Sequence, residues 1–412
     1  MTVTNANAAG LTVVTYTPDP KPAVVSPTSP LAAGGFRSRY FSADDYQRFH
    51  GRAARYDVEN SFFAEDFAEI LGAGYLKAPL PQRLGGADVS LTELAREQRH
   101  LGYWAPATAL ALNMHLYWAG SAAHAVTRGV GDLEWLLRDI AAGDVFAAGH
   151  GERGNDVGLD DAVVRAIPQA DGSYRITGRK TFTSLSPVWD QIGIHARDDS
   201  DPENPLIVHT FVDRETPGVR IEETWNALGV RATASHDTVF TDAHADAHKT
   251  VAIHPVGPDY PDYIGLLLGW YLPLLSNVYV GIARRALDIA ILAAQTRTSL
   301  RQDVDRHADK PAVQRQIAQA EIKLEAAVAL VESAAAENEG QLPPWRALAA
   351  KEFATATARE VVDTAVQVVG ASSVSKRHEL ERLYRDVRTG TLHPPNSDAV
   401  LEGLGAIALG LA

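Results

Sequence analysis

The chain has 412 residues, which is enough for two or three domains, since one hydrophobic core rarely organises more than roughly 250 to 300 residues. Hydrophobic residues make up 46% and charged residues 22%, and the net charge of −13 argues against nucleic acid or an anionic membrane as a partner. The absence of cysteine excludes disulfides, thiolate nucleophiles and cysteine-based metal sites. The composition therefore favours a multidomain globular enzyme.

The first third of the chain divides into an arm and a helical region. Residues 1–35 are rich in Ala, Thr, Val and Pro and lack the basic start and apolar core of a secretory signal. We predict a flexible arm there, in a cytoplasmic protein. In residues 36–145 apolar residues recur at helical spacing, and Ser42-Ala-Asp-Asp is a typical helix start. An N-terminal α-helical domain is predicted.

The sequence pattern changes twice more along the chain. Residues 146–256 contain short β-rich runs between Gly, Pro, Asp and Asn, which predict a small central β-barrel or sandwich. Helical spacing returns in residues 257–412 and predicts a C-terminal four-helix bundle. Its long Ala-rich segments are Val278–Thr296, Ala312–Asn338 and Pro344–Val369. The predicted fold class is α+β.

Two segments resemble a membrane span and a dinucleotide-binding fingerprint. Ile264–Ile282 has nearly the length and hydrophobicity of a membrane span, but Pro273, Ser276 and Asn277 interrupt it, so a helix buried in a protein core is predicted and no membrane partner. Gly149–Gly154 matches the GxGxxG fingerprint of dinucleotide sites. That fingerprint needs a helix after its last glycine, and turns and strands are predicted here, so a Rossmann site is rejected.

Six segments follow one another in a recognisable order. They are Pro81–Gly86, Gly149–Val157, Gly178–Ser184, Leu228–Phe240, Gln367–Ser373 and Glu381–Arg388. In that order they resemble the PEEYGG, TEPGAGSDV, GxKxWIT, LGxRxTxSxxVxF, QxxGGxG and ERLYRDAR segments of the acyl-CoA dehydrogenase family. The three-part α, β, α layout also matches the family, so the resemblance implies an acyl-CoA dehydrogenase-like fold.

The resemblance implies a flavin, FMN or FAD, between the β domain and the bundle of a homotetramer. Phe182 takes the position of the family's Trp beside the isoalloxazine, and Ser184 that of the Thr whose hydroxyl bonds to flavin N5. A hydroxyl suits N5 because it both donates and accepts. Taken alone, Ser184 reads as an ordinary strand hydroxyl and Arg297 as a solvated helix charge. The implied cofactor-binding residues are Phe182, Thr183, Ser184, Arg297, Gln367, Gly370 and Arg388.

The family's catalytic base is missing from its expected positions. Acyl-CoA dehydrogenation needs a carboxylate to remove the α-proton. In most members a Glu lies eight residues after the Asp of RDAR, which is Pro394 here, and in a minority it lies on the first long bundle helix, where our alignment places Tyr271. The nearest acids, Asp398 and Glu402, are one or two helical turns further on.

The replacement segment has a resemblance of its own. Arg385–Pro395, which reads RDVRTGTLHPP, is similar to the flavin monooxygenase branch of the same fold, which includes dibenzothiophene monooxygenase, aromatic hydroxylases and amino-sugar N-hydroxylases. In that branch reduced flavin, usually supplied by a separate NAD(P)H:flavin reductase, forms a C4a-hydroperoxide with oxygen. This chemistry needs a water-poor pocket and a hydrogen-bond donor, and a histidine offers a proton near neutral pH.

The candidate catalytic residues are His393 first, His115 second and Ser184 beside the flavin. His115 lies among Tyr117 and Trp118 and is equally well explained as a core residue. The candidate pocket residues are Trp118, Trp270, Tyr271 and His150, although aromatic residues of this kind usually pack in cores. Gly149 replaces the family's Thr, which weakens the case for coenzyme A.

The predicted function is a two-component flavin monooxygenase that oxidises a small aromatic or heteroatom-containing molecule. The alternatives are an acyl-CoA dehydrogenase or oxidase with an unrecognised base, and a catalytically silent flavoprotein. His244, His248 and His254 have a spacing that permits metal binding, but a polar loop is the simpler interpretation and no metal is predicted.

Overall fold

The structure is a computed structural model that describes residues 36–156, 158–257, 260–300, 304–338 and 344–411. The predicted arm, residues 1–35, lies outside the described residues. The described part has helices at both ends of the chain and one sheet between them. The predicted fold class, with an N-terminal α-helical part, a central β part and a C-terminal helical part, is confirmed.

The N-terminal part is helical. Its helices are α1 (Ala43–Glu59), α2 (Ala64–Gly72), α3 (Leu91–Trp104), α4 (Pro106–Arg128) and α5 (Glu134–Ala142). The predicted start at Ser42 is confirmed, because its side chain accepts from the backbone N–H of Asp45 and the Asp45 carboxylate accepts from that of Ser42. Helix α4 is buried along most of its length, which places its aromatic side chains between the sheet and the bundle.

The central part is one mixed sheet. Its strands are β1 (Phe146–Gly149), β2 (Arg165–Pro168), β3 (Tyr174–Thr183), β4 (Gln191–Asp198), β5 (Leu206–Asp213), β6 (Val219–Glu222), β7 (His236–Ala245) and β8 (Thr250–Pro255). The order is β6-β7-β3-β2-β4-β5-β8, and β1 runs parallel to β4. After Gly149 the chain forms a bridge from Gly151 to Thr181 on β3, so no helix follows the apparent fingerprint.

The C-terminal part is built around three long helices. They are α6 (Asp262–Thr296), α7 (Pro311–Asn338) and α8 (Pro344–Val369), with the shorter α9 (Glu379–Asp386) and α10 (Ser397–Leu409) against them. Within the described residues, α6 is the single helix apolar and long enough to cross a membrane, and 89% of its most apolar window is buried. Helix α6 packs on α3, α4, α7 and α8, which confirms the predicted core helix.

The polar residues that interrupt the apolar segment fit the helix. Ser276 Oγ donates to the Leu272 carbonyl at 2.7 Å, and Asn277 Nδ2 donates to the Pro273 carbonyl at 2.8 Å. Both side chains therefore place their donors within the helix although they are buried, whereas Oδ1 of Asn277 has no partner among the described residues.

Candidate functional site

Two loops with left-handed backbone residues mark the candidate site. Among the described residues seven non-glycine residues have positive φ, and three of these are Asn or Asp, which tolerate that region. The other four are Phe182 (59°), Leu185 (64°), Val230 (47°) and Ala234 (45°). Their loops are joined to each other, since the N–H of Leu185 donates to Thr233 O at 3.1 Å. Strained backbone held in this way is characteristic of functional sites.

The first loop presents an aromatic ring beside a hydroxyl. Phe182 is 66% exposed although it is apolar, and its ring has one edge contact, with Trp225. Thr183 turns into the sheet, where its Oγ1 accepts from Thr238. Ser184 is buried, and its Oγ lies 2.8 Å from Ser235 Oγ. An exposed ring next to an ordered hydroxyl suits a planar heterocycle with a polar edge.

The second loop is fixed to helix α9. The N–H of Val230 donates to Asp386 Oδ1 at 2.6 Å, and Arg385 donates to Leu228 O at 2.9 Å. A Cβ on Gly229 would lie 2.5 Å from the backbone of Arg385, so only glycine permits this approach. These contacts hold the loops of the β part against the segment that carries His393.

His393 is held by the side chain of a distant tyrosine. Its Nε2 lies 2.7 Å from the hydroxyl of Tyr279 on α6, which lies 2.8 Å from Thr389 Oγ1. Thr389 Oγ1 also lies 2.9 Å from the carbonyl of Asp386. Nδ1 of His393 has no hydrogen-bond partner among the described residues.

The charge state of His393 differs from the sequence expectation. Burial and the nearby ammonium of Lys351 lower the pKa of His393 to about 3, so its imidazole is neutral at physiological pH. A neutral imidazole donates a hydrogen bond from one nitrogen only. The role of His393 therefore depends on which nitrogen carries the proton.

His115 has both ring nitrogens bonded to backbone groups. Its Nε2 donates to the carbonyl of Leu76 at 3.0 Å, and its Nδ1 accepts from the N–H of Phe146 at 3.0 Å. Burial lowers its pKa to about 4. These bonds attach α4 to β1 and to the segment before α3, and they leave no nitrogen of His115 for a substrate.

Three of the four predicted pocket residues lie along one row of rings. Tyr271 contacts Tyr117, Tyr117 contacts Trp118, and Trp118 contacts His150, with ring centroids 5.3, 4.9 and 5.7 Å apart. Trp118 is anchored by a bond from its Nε1 to the carbonyl of Ala147 at 3.0 Å. The row extends from the bundle to the loop after β1.

Trp270 lies outside this row. Its ring packs on Gly120, where a Cβ would lie 2.0 Å from the indole, and its Nε1 donates to His124 Nδ1 at 3.3 Å. Among the described residues no ring contact joins Trp270 to Tyr117, Trp118 or His150.

The implied cofactor-binding residues of the C-terminal part are only partly brought together. Arg297 Nη1 donates to Val369 O at 3.0 Å and lies 3.6 Å from the position of a Cβ on Gly370. Gln367 is on the same helix end, and its Oε1 lies 3.5 Å from Gln316 Nε2. Arg388 is engaged elsewhere, since it pairs with Asp363 and stacks over Tyr384 at 4.1 Å.

The histidines whose spacing permits metal binding, His244, His248 and His254, do not converge. His244 pairs with Asp246 at 2.9 Å, whereas His254 faces His209 at 3.1 Å between their Nε2 atoms. Within the part of the chain that the structure describes, no three His, Asp or Glu side chains form a metal-binding group.

Sequence reasoning missed a buried polar cluster beside the row of rings. Glu152, Lys180 and His195 have fully buried side chains, and Lys180 Nζ lies 2.8 Å from Glu152 Oε1. Lys180 on strand β3 was the available signal, but its partner lies 28 residues away in sequence. His150 contacts this cluster and links it to the pocket.

Together with the comparisons that follow, the fold and site define a flavin-dependent oxidoreductase. The sheet carries an exposed ring beside a hydroxyl, the bundle carries the histidine, and contacts to α9 join the two parts. Two family descriptions match the chain. They are "Acyl-CoA dehydrogenase, middle domain" over residues 151–243 and "Acyl-CoA dehydrogenase, C-terminal domain" over residues 274–397. The chain is 31% identical over 377 residues to the putative acyl-CoA dehydrogenase YdbM of Bacillus subtilis, covering 89% of this chain and 94% of YdbM. The chain belongs to the acyl-CoA dehydrogenase family.

Other relatives are named as amino sugar nitrososynthases. The amino sugar nitrososynthase RubN8 of Streptomyces rubradiris is 29% identical over 390 residues, covering 88% of this chain and 87% of RubN8. The structure is also similar to that of KijD3 in complex with FMN and dTDP-3-amino-2,3,6-trideoxy-4-keto-3-methyl-D-glucose. The TM-score is 0.78 and the identity 26%, with 90% of this chain and 92% of KijD3 covered.

Proposed function

We propose that this oxidoreductase is a reduced-flavin monooxygenase that acts on a small aromatic or heteroatom-containing substrate. The observation that carries the proposal is the segment around His393: Pro394 stands at the position of the family's carboxylate, and the residue before it is a neutral histidine with a free Nδ1. Asp398 and Glu402, the nearest acids along the chain, are exposed on α10. A base that removes an α-proton is therefore not supported, whereas a hydrogen-bond donor is.

The residues of the β part and of the bundle suit a flavin. Phe182 would lie against the ring system, Ser184 would bond to its polar edge, and Arg297 would pair with phosphate. KijD3, which binds FMN, supports this assignment. Bound there in the reduced state, the flavin supplies the electrons that activate oxygen, of which one atom enters the substrate and the other leaves as water. FMN and FAD both remain compatible with these residues.

The hydroxyls next to His393 permit two proton arrangements. In the first, Thr389 donates to Asp386 O, Tyr279 donates to Thr389, and His393 donates from Nε2. In the second, Thr389 gives up its bond to Asp386 O and donates to Tyr279, Tyr279 donates to Nε2 of His393, and the imidazole proton resides on Nδ1. Only the second gives His393 a free N–H.

The first arrangement satisfies all three contacts in the protein alone. We propose that an oxygen acceptor bound at Nδ1 of His393 selects the second, because only the second offers it an N–H. Burial raises the pKa of Tyr279, so its hydroxyl keeps its proton and acts as a donor in both arrangements. Gly390 packs on the ring of Tyr279, where a Cβ would lie 2.9 Å away, and this contact fixes the tyrosine beside His393. Tyr279 is thus a positioning residue, and His393 is the donor to the bound oxygen.

The pocket for the substrate is the row formed by Tyr271, Tyr117, Trp118 and His150. Large buried rings exclude water, which protects a reactive oxygen species from premature release as peroxide. His115 has no free nitrogen, so we leave it out of the proposed chemistry.

The proposed partners are a separate NAD(P)H:flavin reductase and further copies of the chain. Helix α10 and the residue beyond it leave large apolar side chains exposed, which suits burial in a homotetramer. These side chains are Leu401, Ile407, Leu409 and Leu411.

The competing dehydrogenase activity is tested with the oxidised holoenzyme. The protein is titrated anaerobically with saturated acyl-CoA thioesters of short, medium and aromatic acyl chains while flavin absorbance is followed. We expect the oxidised spectrum to persist. Bleaching by any thioester would contradict the proposal, and failure to bind FMN or FAD would contradict both enzymatic functions.

A further inference from the structure

The buried cluster of Glu152, Lys180 and His195 controls the protonation of a pocket residue. Glu152 is surrounded by donors: Oε1 accepts from Lys180 and from the N–H of Val164, and Oε2 accepts from the N–H of Val163. Burial alone would raise the pKa of Glu152, but Lys180 and these N–H groups hold it below its usual range. Glu152 is therefore an anion.

The ammonium of Lys180 determines that Nδ1 of His195 is unprotonated. Burial lowers the pKa of Lys180 to about 8, with Glu152 opposing the shift, so the group is mainly charged at pH 7. Its Nζ lies 3.4 Å from Nδ1 of His195. An ammonium can only donate, so His195 Nδ1 carries a lone pair and not a proton.

The same nitrogen of His195 then fixes the tautomer of His150. Nδ1 of His150 lies 3.3 Å from Nδ1 of His195. Since the His195 nitrogen is an acceptor, His150 donates, and its single proton resides on Nδ1. Burial and Lys180 lower the pKa of His150 to about 3, so the ring is neutral. Nε2 of His150 is thus an acceptor.

This acceptor is buried and unused. Nε2 of His150 has no exposed surface and no hydrogen-bond partner among the described residues. Its ring contacts Trp118, and the neighbouring Gly151 is close to the ring of Phe182, since a Cβ there would lie 3.3 Å from Phe182 Cδ2. Native structures seldom leave a buried acceptor without a donor from the protein, an ordered water or a ligand.

We propose that Nε2 of His150 accepts a hydrogen bond from an N–H or O–H group of the substrate. The proposed substrates are therefore aromatic or heterocyclic molecules and amines that carry an N–H or O–H group. Hydrocarbons and thioethers, which lack such a donor, are excluded. Identifying the donor as part of the substrate rests on the proposed function. The tautomer of His150 does not.

The specificity test uses a pair of probes that differ by one donor. Binding of indole and of 1-methylindole to the oxidised holoenzyme is measured by calorimetry. We expect indole to bind about tenfold more tightly, which corresponds to about 1.4 kcal/mol, and His150→Phe to remove this preference. His244→Phe, at a partly exposed histidine on β7, is the control and keeps the preference.

Three results would overturn the assignment. The first is equal affinity of the wild type for indole and 1-methylindole, and the second is no binding of either probe. The third is that the wild type prefers indole but His150→Phe loses its flavin, which would make the cofactor the donor to His150. Because the flavin stays oxidised, failure of oxygen activation does not affect this test. Neutron diffraction of the deuterated wild-type protein gives a second measurement: deuterium on Nδ1 of His150 supports the proposal, and deuterium on Nε2 overturns it.

Discussion

The hydroxyl of Tyr279 is the most informative single group to remove. Tyr279→Phe deletes the donor to Nε2 of His393, and the ring itself remains packed against Gly390. The lost bond is 2.7 Å long and Tyr279 is fully buried, so leaving Nε2 unpaired costs about 1–3 kcal/mol. The proton on Nδ1 is then no longer favoured.

We expect this loss to appear as uncoupling. At about 1.4 kcal/mol per factor of ten, hydrogen peroxide release from Tyr279→Phe should be about tenfold faster than from the wild type. The assay mixes the anaerobically reduced protein with oxygen and follows hydrogen peroxide, which requires no knowledge of the substrate.

Thr389→Val is the matched control for this prediction. It also removes one hydroxyl from the same chain of hydrogen bonds, with a similar cost to stability of about 1 kcal/mol. Without Thr389 Oγ1, however, the hydroxyl of Tyr279 has only His393 Nε2 as acceptor, which directs the imidazole proton to Nδ1 of His393. Peroxide release should be at or below the wild-type rate. Equal rates for the two variants, or a wild-type rate for Tyr279→Phe, would refute the proton assignment.

Three further predictions concern other parts of the site. His393→Ala should release peroxide at least as fast as Tyr279→Phe while its affinity for flavin is unchanged; wild-type release would remove His393 from the mechanism. Lys180→Met should lower the free energy of unfolding by about 3–5 kcal/mol because it leaves Glu152 buried and unpaired, and Lys180→Met with Glu152→Gln should recover part of the loss in thermal denaturation. An unchanged melting temperature for the single variant would be inconsistent with the ion pair. Acid should destabilise the protein, because five buried histidines take up protons below about pH 6.5 only when the chain unfolds. They are His115, His150, His195, His209 and His393. Each costs up to about 1.4 kcal/mol per pH unit, and they outnumber the four buried carboxyls of opposite effect, which are Asp66, Glu97, Asp288 and Asp386. The urea midpoint should therefore be lower at pH 5 than at pH 7.

The long helices and the order of the elements were predictable from local patterns. The segment Pro344–Val369 matches α8 because alanine-rich helical spacing continues without interruption, and the start at Ser42 follows from a capping box within four residues. The buried position of α6 followed from the polar residues inside it. These features depend on neighbours in sequence.

Site residues could be predicted from the sequence only where they fall within a segment that resembles the family. The sequence pointed to His393 and Ser184, but the bond from His393 to Tyr279 joins residues 114 positions apart and depends on the packing of α6 against the last loop. The neutral charge of His393 follows from burial, which a motif does not encode. His115 and Trp270 could not be separated from core residues by their types alone, and the structure gives both of them packing partners.

The reaction of the reduced protein with oxygen tests the central claim most directly. The flavin-loaded protein is reduced anaerobically and mixed with oxygen in a stopped-flow instrument while the flavin spectrum is recorded. The proposed function predicts an absorbance transient, distinct from the reduced and oxidised spectra, that forms before oxidised flavin returns and lives at least several times longer in the wild type than in His393→Ala. Direct return of the oxidised spectrum without a transient, together with bleaching by an acyl-CoA thioester, would contradict the monooxygenase and favour a dehydrogenase.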